Sequence, residues 1–551
     1  MKKLLRLGTY IIAVFVLFSC STNEKSPLTA VPGDAGFVAV FDGKSLSQKS
    51  GVQDFTQTKA YTTMLEELSP EEAQHLNQYA YILKDVNESG VGVNDEFMVF
   101  VTAKNQQIMF GFDFPVKDRT KLDALMKKLV DDSQKELVIA EDAGVSTMLL
   151  PDDEGVFCWN DNQLLILAGE SMEDTDLSDK ARSLINQDAG ASIQSNGHFA
   201  QFYKNKKDIS FWLDYSIIEN SMPPAQQMMM GTSMPFNMNG MYMSAYAEFK
   251  NGEIVISYES ELSPQMKEYM AKYPVIKDKF DLDALKVLPE ESYLNIEIAL
   301  DFYQYYRLIA EIYKEKQMNI DQYSQQLEQQ IGMSMEDLLK GISGEIAFNA
   351  YGIQMTEKEH IETNFVDGEL VTTTNTVVEP SLLYAGVLRF ADEKVWMLLD
   401  DKIKEMGLQP DQNGIYQIPN TDIWFVYSED NLVFTDDQDL INEISENGKI
   451  EPNLASGDVA GHLKEYPSYM EMNLDIDRMP QEVVDFYKNK AENAQMVDQI
   501  FEYLSVYKTL KVMPTSKTSA KIVLELKDDS KNSLEVILES FDKAIGTISQ
   551  K

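Results

Sequence analysis

Four oxygen-bearing side chains between residues 85 and 96 have the spacing of a calcium-binding loop. They are Asp85, Asn87, Ser89 and Glu96, at the first, third, fifth and twelfth positions of that pattern. Carboxylate, amide and hydroxyl oxygens are ligands that a hard cation prefers. However, Gly92 stands where the loop needs an aliphatic residue, and an apolar, strand-like run follows Glu96. The pattern therefore favours a helix end, a glycine turn and a strand over a calcium site.

A second candidate is the methionine-rich segment between Met222 and Met243, which holds eight of the 28 methionines. Thioethers are soft ligands that can bind Cu(I), and the copper candidates are Met228, Met230, Met234 and Met238. The same side chains can form a pliable apolar surface for a partner or lipid, or a loop packed on its own domain. The segment contains no histidine or cysteine, which weakens the copper interpretation.

Other reactive side chains do not assemble into a catalytic motif in the sequence. Cys158 aligns with Val426 in a related stretch of the chain, which indicates a core position. Acidic pairs such as Asp400–Asp401 and Asp436–Asp437 are expected by chance among 89 acidic residues. We therefore predict no catalytic residue and no cofactor, and we keep a hydrolase with paired carboxylates as an alternative.

The charge of the chain restricts its partners. The 551 residues include 48 Lys and Arg against 89 Asp and Glu, for a formal net charge of −41. Such a surface repels phosphates, which excludes nucleic-acid binding and attachment to anionic lipid through a basic patch.

The first twenty residues resemble a bacterial lipoprotein signal peptide. Lys2, Lys3 and Arg6 precede an apolar run over residues 7–18 that is too short to span a bilayer. The run ends at Ser19 and Cys20, as in a lipobox, where the thiol accepts a diacylglycerol. We expect a signal peptide over residues 1–19, a lipidated Cys20, and a short polar tether over residues 20–31.

The remainder of the chain shows a faint internal duplication. Pro32 and the apolar run after it recur at Pro289, and residues 151–165 match residues 419–433 without a gap. Each matched stretch predicts two strands joined by a polar turn. We predict a first copy over residues 32–262, a connector over residues 263–287, and a second copy over residues 288–551.

Each copy alternates strand patterns with amphipathic helical patterns. This order predicts an α+β fold of mainly antiparallel sheets, each covered by helices. Each copy should end in a strand pair, at residues 245–257 and 520–538. The second copy also carries an insertion over residues 360–380, which predicts an extended polar hairpin or loop.

Two stretches of the first copy carry a family resemblance. They are residues 32–52, with Asp42, residues 44–46 and residues 49–51, and residues 83–100. They resemble a family of Bacteroidota envelope lipoproteins known as domain of unknown function 4836. The resemblance implies an outer-membrane lipid anchor and transfers no catalytic residue.

We therefore expect a lipid-anchored outer-membrane protein that binds an envelope protein partner without catalysis. Contacts would be made through the methionine-rich loop or the groove between the copies. The alternatives are an envelope hydrolase and a copper- or calcium-binding lipoprotein. The sequence leaves the membrane leaflet and the oligomeric state open.

Overall fold

The computed structural model describes residues 27–548, except residues 70–72, 75–76, 105–106, 134–136, 151–154, 170–175, 223–237, 316–320, 367–368 and 491–493. The chain divides into two compact units. The first unit contains the residues up to Met266 and those from Leu526 onward, and the second unit is Lys267–Glu525.

The first unit is built on an antiparallel sheet. Its strands are β1 (Phe37–Asp42), β2 (Glu96–Lys104), β3 (Gln107–Pro115), β4 (Ile139–Asp142), β5 (Val145–Leu149), β6 (Gly155–Trp159), β7 (Gln163–Gly169), β8 (Ile209–Asp214), β9 (Tyr242–Lys250) and β10 (Glu253–Glu261). They pair in the order β10-β9-β8-β1-β2-β3-β7-β6-β5-β4. Hence β1, which is apolar up to its last residue, Asp42, lies in the middle of the sheet.

Helices connect these strands and begin at polar caps. They are α1 (Gly43–Ser50), α2 (Lys59–Glu67), α3 (Ala80–Lys84), α4 (Arg119–Asp132), α5 (Leu177–Ile185), α6 (Gly197–Lys204) and α7 (Ser216–Ser221). The caps of α1, α4 and α5 are Asp42, Asp118 and Asp176, and each carboxylate accepts a hydrogen bond from a free backbone N–H in the first turn.

The second unit also contains an antiparallel sheet. Its strands are β11 (Leu294–Ala299), β12 (Ile342–Val366), β13 (Glu369–Phe390), β14 (Tyr416–Gln417), β15 (Trp424–Ser428), β16 (Asn431–Thr435), β17 (Ser468–Asn473), β18 (Tyr507–Pro514) and β19 (Ser519–Leu526). The order β18-β17-β11-β12-β13-β16-β15-β14 follows from the strand pairings.

The helices between these strands are α8 (Pro264–Lys272), α9 (Phe302–Glu315), α10 (Asp321–Ile331), α11 (Met335–Gly341), α12 (Glu393–Glu405), α13 (Gln438–Asn447), α14 (Asp458–Leu463), α15 (Gln481–Lys490) and α16 (Ala494–Leu504). Helix α8 contains the boundary between the two units. Helix α8 starts at Pro264, one residue after the start of the expected connector at residue 263.

Both hairpins that the sequence predicted at the matched stretches are confirmed. In the first unit, β6 and β7 pair from Trp159–Leu164 onward, and the Asn160 side chain closes the turn by accepting two backbone hydrogen bonds. In the second unit, β15 and β16 turn at Glu429 and Asp430, whose φ angles are 48° and 66°. Two successive positive φ angles are typical of the type I′ turn that suits a two-residue hairpin.

The C-terminal segment differs from the expectation. Residues 533–538 are not a strand but the start of α17 (Ser533–Ile548), and Asn532 accepts a hydrogen bond from the Leu534 N–H at its first turn. This helix packs on α2, and its Asp542 accepts a hydrogen bond from the Ala60 N–H. It therefore belongs to the first unit, whereas the sequence analysis placed it in the second copy.

Each unit has its own hydrophobic core. One core of the first unit lies around Val38, Phe100 and Trp212, and a second around Leu122 and Trp159. The core of the second unit consists of other residues, among them Val387, Val433 and Ile441. The predicted α+β class with antiparallel sheets is confirmed. None of the helices in the described ranges is both long and apolar enough to cross a bilayer.

Candidate functional site

The most unusual element of the second unit is a long two-stranded arm. Strand β11 pairs with β12 only as far as Ala350, and β16 pairs with β13 only from Ala385. Beyond these points β12 and β13 continue to pair with each other, from Gly352–Leu383 to Val366–Glu369. We call residues 352–383 the arm. Fifteen residues per strand correspond to about 50 Å of extended chain.

The arm has two different faces because alternate side chains of a strand point to opposite sides. One face carries Ile353 and Met355 opposite Leu382 and Pro380, with Val378 next along. Val378 and Leu382 are 49% and 52% exposed. The apolar face at the base of the arm is thus open to a partner.

The opposite face of the arm is polar and carries a small ion network. Glu379 lies 3.5 Å from the Lys358 ammonium and 3.2 Å from the His360 ring nitrogen. Burial alone would raise the pKa of Glu379, but the hydrogen bond and charge of His360, together with those of Lys358, lower it. These contacts fasten the middle of the arm across its two strands.

An arm of this kind leaves two long backbone edges without a third strand in the part of the chain that the structure describes. A two-stranded ribbon is marginally stable in water, and an open edge offers N–H and C=O groups to another strand. The arrangement can therefore bind an extended segment by strand addition.

A cavity of about 380 Å³ in the first unit collects lysines from the end of α6 and the loop after it. Lys206 forms an ion pair with Glu96, and the Lys207 ammonium lies 3.8 Å from the Glu248 carboxylate. These carboxylates offset the positive charge, which makes the cavity a poor anion site.

The residues that carry the family resemblance have structural roles. Asp208 is 5% exposed, and its carboxylate accepts hydrogen bonds from Ser45 Oγ at 2.5 Å, Lys49 Nζ at 2.6 Å and the Phe249 N–H at 2.6 Å. We call this the Asp208 clamp, which fixes α1 to β9. Gly51, with φ of 67°, ends α1 in the left-handed conformation that favours glycine. This part of the motif stabilises the fold.

The four calcium-loop residues bond to different elements. Asp85 accepts hydrogen bonds from the Asn87 backbone and side chain, and Ser89 is buried and bonded to Val86 and Val91. Glu96 instead bonds to Tyr203 and Lys206 of the α6 region. The predicted order of helix end, glycine turn and strand is confirmed, with α3 ending at Lys84 and β2 starting at Glu96.

The remaining predicted sites are only partly described. Cys20 lies outside the described residues, as do Met228, Met230 and Met234, while Met238 is 7% exposed. Cys158 is fully buried in β6, as predicted, and burial raises its pKa to about 12. Across the described ranges, no three or more His, Cys, Asp or Glu side chains form a group that could hold a metal ion.

The acidic pairs are used in the fold. Asp400 accepts hydrogen bonds from Lys404 and Tyr416, whose effect on its pKa outweighs burial and lowers it. Asp436 accepts the Tyr384 N–H, and Asp437 caps α13. These partners stabilise turns and helix starts.

Sequence analysis missed two features. The predicted insertion covered only part of the arm, because its base continues the sheet strands without a change in composition. It also missed a buried carboxylate, Glu297, in β11. An alignment of the repeated stretches that matches Asp42 with Asp301 also matches Val38 with Glu297. A charged residue at a position that is apolar in the other copy is the signal that could have identified this carboxylate.

The comparisons with known proteins give a family but no activity. A family model described as "Domain of unknown function (DUF4836)" matches residues 29–534. No curated protein matches the chain. The structure of crystal form I of TP0453 is 10% identical to this chain in sequence, with a TM-score of 0.24. The match covers 46% of this chain and 86% of the TP0453 chain. The structure of crystal form IV of TP0453 is 11% identical to this chain, with a TM-score of 0.23. The match covers 45% of this chain and 86% of the TP0453 chain.

Proposed function

We propose that this chain, which belongs to the DUF4836 family, is a lipid-anchored protein of the bacterial outer membrane that binds an envelope protein without catalysis. The arm is the observation that carries the binding role. The extended segment of the partner adds to an edge of the arm, and its basic side chains face the acidic side chains of the arm.

The charge of the arm selects the partner. Residues 352–383 contain six acidic residues against one lysine. Two of them, Glu357 and Glu359, are exposed on the same face as Val378, opposite Val378 and Thr376. Like charges placed opposite each other on paired strands are destabilising, so a second copy of this chain is a poor occupant. An extended segment rich in Lys or Arg can pair with a backbone edge of the arm, and its positive charge is complementary to the negative charge of the arm.

A shortened arm tests this role. Replacing residues 355–380 by Asn-Gly keeps the Gln354–Ser381 pair, whose residues both have an N–H to close a two-residue turn, and removes Pro380, which has none. The core of the second unit contains none of the removed residues, so the variant should fold. We expect affinity capture from envelopes to lose a reproducible partner that full-length protein retains. An unchanged set of captured proteins would contradict the proposal.

The lipid anchor rests on the first twenty residues. An apolar segment that ends at Ser19-Cys20 supports cleavage before Cys20 and acylation of its thiol and amine. More than one acyl chain is needed for stable attachment, since each buried CH₂ contributes about 0.8 kcal/mol. Mass spectrometry of the native protein should find an acylated Cys20 at the N-terminus, and Cys20→Ala should leave the protein unacylated. An intact leader or a free thiol in the native protein would contradict the anchor.

The two units are proposed to be duplicated copies of one domain. Support comes from the shared strand order, in which β9-β8-β1-β2-β3-β7-β6-β5 corresponds to β18-β17-β11-β12-β13-β16-β15-β14. The isolated bridges correspond as well, with Pro32 bonded to Ser192 and Pro289 bonded to Asn453. The equivalent helices α4 and α12 both begin at an aspartate cap.

A difference between the proposed copies supports a binding role for the second. Strands β2 and β3, which correspond to β12 and β13, are nine residues long, against 25 and 22 residues. The additional length of β12 and β13 accounts for the arm.

A further inference from the structure

The sheet of the second unit carries polar side chains on its buried face. In β11, Asn295 and Glu297 are 4% and 1% exposed, whereas Ile296 between them points to the other side and is 40% exposed. Side chains at alternate positions share a face, so the buried side of this central strand holds an amide and a carboxyl where apolar residues are expected.

Neighbouring strands extend this polar region. Asn349 of β12 and Glu471 of β17 lie on either side of Asn295, and Tyr469 of β17 lies beside Glu297. Directly opposed residues of an antiparallel pair have their side chains on the same face and within about 5.5 Å at Cβ. We call Asn295, Glu297, Asn349 and Glu471 the Glu297 cluster.

The cluster contains more acceptors than donors. Both carboxylate oxygens of Glu297, Oδ1 of Asn295 and Oδ1 of Asn349 are buried and have no hydrogen-bond partner among the described residues. The amide nitrogen of Asn349 donates to the Pro289 carbonyl at 2.7 Å, which identifies the unpaired atom as the oxygen. Buried polar atoms are normally paired, so four unpaired acceptors together point to a missing positive partner.

Two lysines on segments next to the cluster are bonded to other carboxylates. Lys511, opposite Glu471 on β18, lies 2.8 Å from Glu525, and Lys277 lies 2.7 Å from Glu345. The Tyr469 hydroxyl donates to Glu471 at 2.9 Å and not to Glu297. The protein therefore supplies Glu297 with neither a cation nor a donor in the part that the structure describes.

The same strand position in the first unit shows that the fold does not require a carboxylate there. Under the proposed duplication, Glu297 corresponds to Val38, which is 0% exposed and packs in an apolar core between Phe100 and Trp212. The polar side chains of the Glu297 cluster are therefore additions to a strand that folds without them.

We propose that the Glu297 cluster binds a hard divalent cation of the calcium class. Two carboxylates and two amide oxygens are the ligand types that calcium accepts, and calcium tolerates irregular geometry. The cluster has only two carboxylates, so it is distinct from a site made of three or more His, Cys, Asp or Glu side chains. Calcium would neutralise Glu297, whose pKa is raised by burial and by the charge of Glu471.

Calcium titration of the full-length protein in 0.15 M NaCl tests this site. Terbium luminescence should rise because Tyr469 lies beside the proposed ion, and calcium should reverse the signal. Glu297→Gln keeps one side-chain oxygen but removes one of the two carboxylate charges of the cluster. It should weaken calcium binding about 100-fold, at the upper end of the 10–100-fold range typical of an outer-shell partner. Glu357→Gln, an exposed change in the arm, is the matched control and should bind like the wild type.

Two outcomes would overturn the proposal. One is a wild-type protein that shows no saturable binding of calcium or magnesium. The other is a Glu297→Gln protein that is folded by circular dichroism and binds calcium as tightly as Glu357→Gln does. Glu297→Val provides a second folded variant, because valine occupies the equivalent position of the first unit, and it should also lose binding.

Discussion

Replacing Glu297 by valine should stabilise the second unit in the absence of divalent cations. The change removes two buried oxygens without hydrogen-bond partners, and such groups cost about 1–3 kcal/mol. Valine is smaller than glutamate, and the space left behind costs about 1 kcal/mol. We expect a net gain of up to about 2 kcal/mol in the free energy of unfolding at pH 4, where the carboxyl is mostly protonated in both the folded and the unfolded states.

The gain should grow as the pH rises. Burial, followed by the charge of Glu471, raises the pKa of Glu297 in the folded state above the usual value of about 4.3. A raised carboxyl pKa means that the folded state holds the proton longer, so wild-type stability falls from pH 4.3 up to the folded pKa, by at most about 1.4 kcal/mol per pH unit. Neighbouring Glu471, Tyr469, Lys511 and Glu525 are common to both proteins, so their titration largely cancels in the difference.

Scanning calorimetry of the full-length proteins with a chelator, between pH 4 and pH 8, measures this difference. Val38→Glu is the matched control, because it places a carboxyl in the apolar core of the first unit and should destabilise that unit by about 3 kcal/mol or more. Adding calcium should reverse the order and stabilise the wild type but not Glu297→Val. Destabilisation by Glu297→Val that is independent of pH would refute the reasoning, because the carboxyl would then be a needed part of the core.

Two substitutions and one labelling experiment test the packing of the units. Asp208→Ala should destabilise the first unit by about 3–5 kcal/mol, since it leaves the Lys49 ammonium without its buried partner, and urea unfolding measures the loss. Gly386→Ala should cost about 1–3 kcal/mol in the second unit, because the new Cβ would lie 2.0 Å from the Phe434 ring, and a thermal melt checks it. Cys158 should react with a thiol reagent only after unfolding, because burial keeps its pKa near 12, and fast labelling of the native protein would contradict this.

The sequence was most informative where local chemistry decides the structure. The polar turns after Trp159 and Ser428 follow apolar runs and predicted both hairpins. The apolar position of Cys158, inferred from its match with Val426, is also confirmed, and both residues are buried. Turn residues and alternation act over a few residues, so a single sequence is sufficient to identify them.

Long-range packing decided the features that the sequence did not predict. Residues 534–538 are apolar enough for a strand, but Asn532 starts a helix there, and the contact of that helix with α2 joins residues almost 500 positions apart. The length of the arm depends on where β11 and β16 stop pairing, which strand composition does not reveal. The acidic residues at positions 357 and 359 can be recognised as part of an exposed arm only once this end point is known.

Site-specific photo-crosslinking at Leu382 tests the proposed binding role most directly. Leu382 is 52% exposed at the base of the arm, and Met406, 73% exposed after α12, is the matched control position. In intact envelopes, the crosslinker at Leu382 should capture a Lys- or Arg-rich extended segment of another protein, and the crosslinker at Met406 should not. Crosslinks from Leu382 only to a second copy of this chain, or none beyond those from Met406, would contradict the proposed role of the arm.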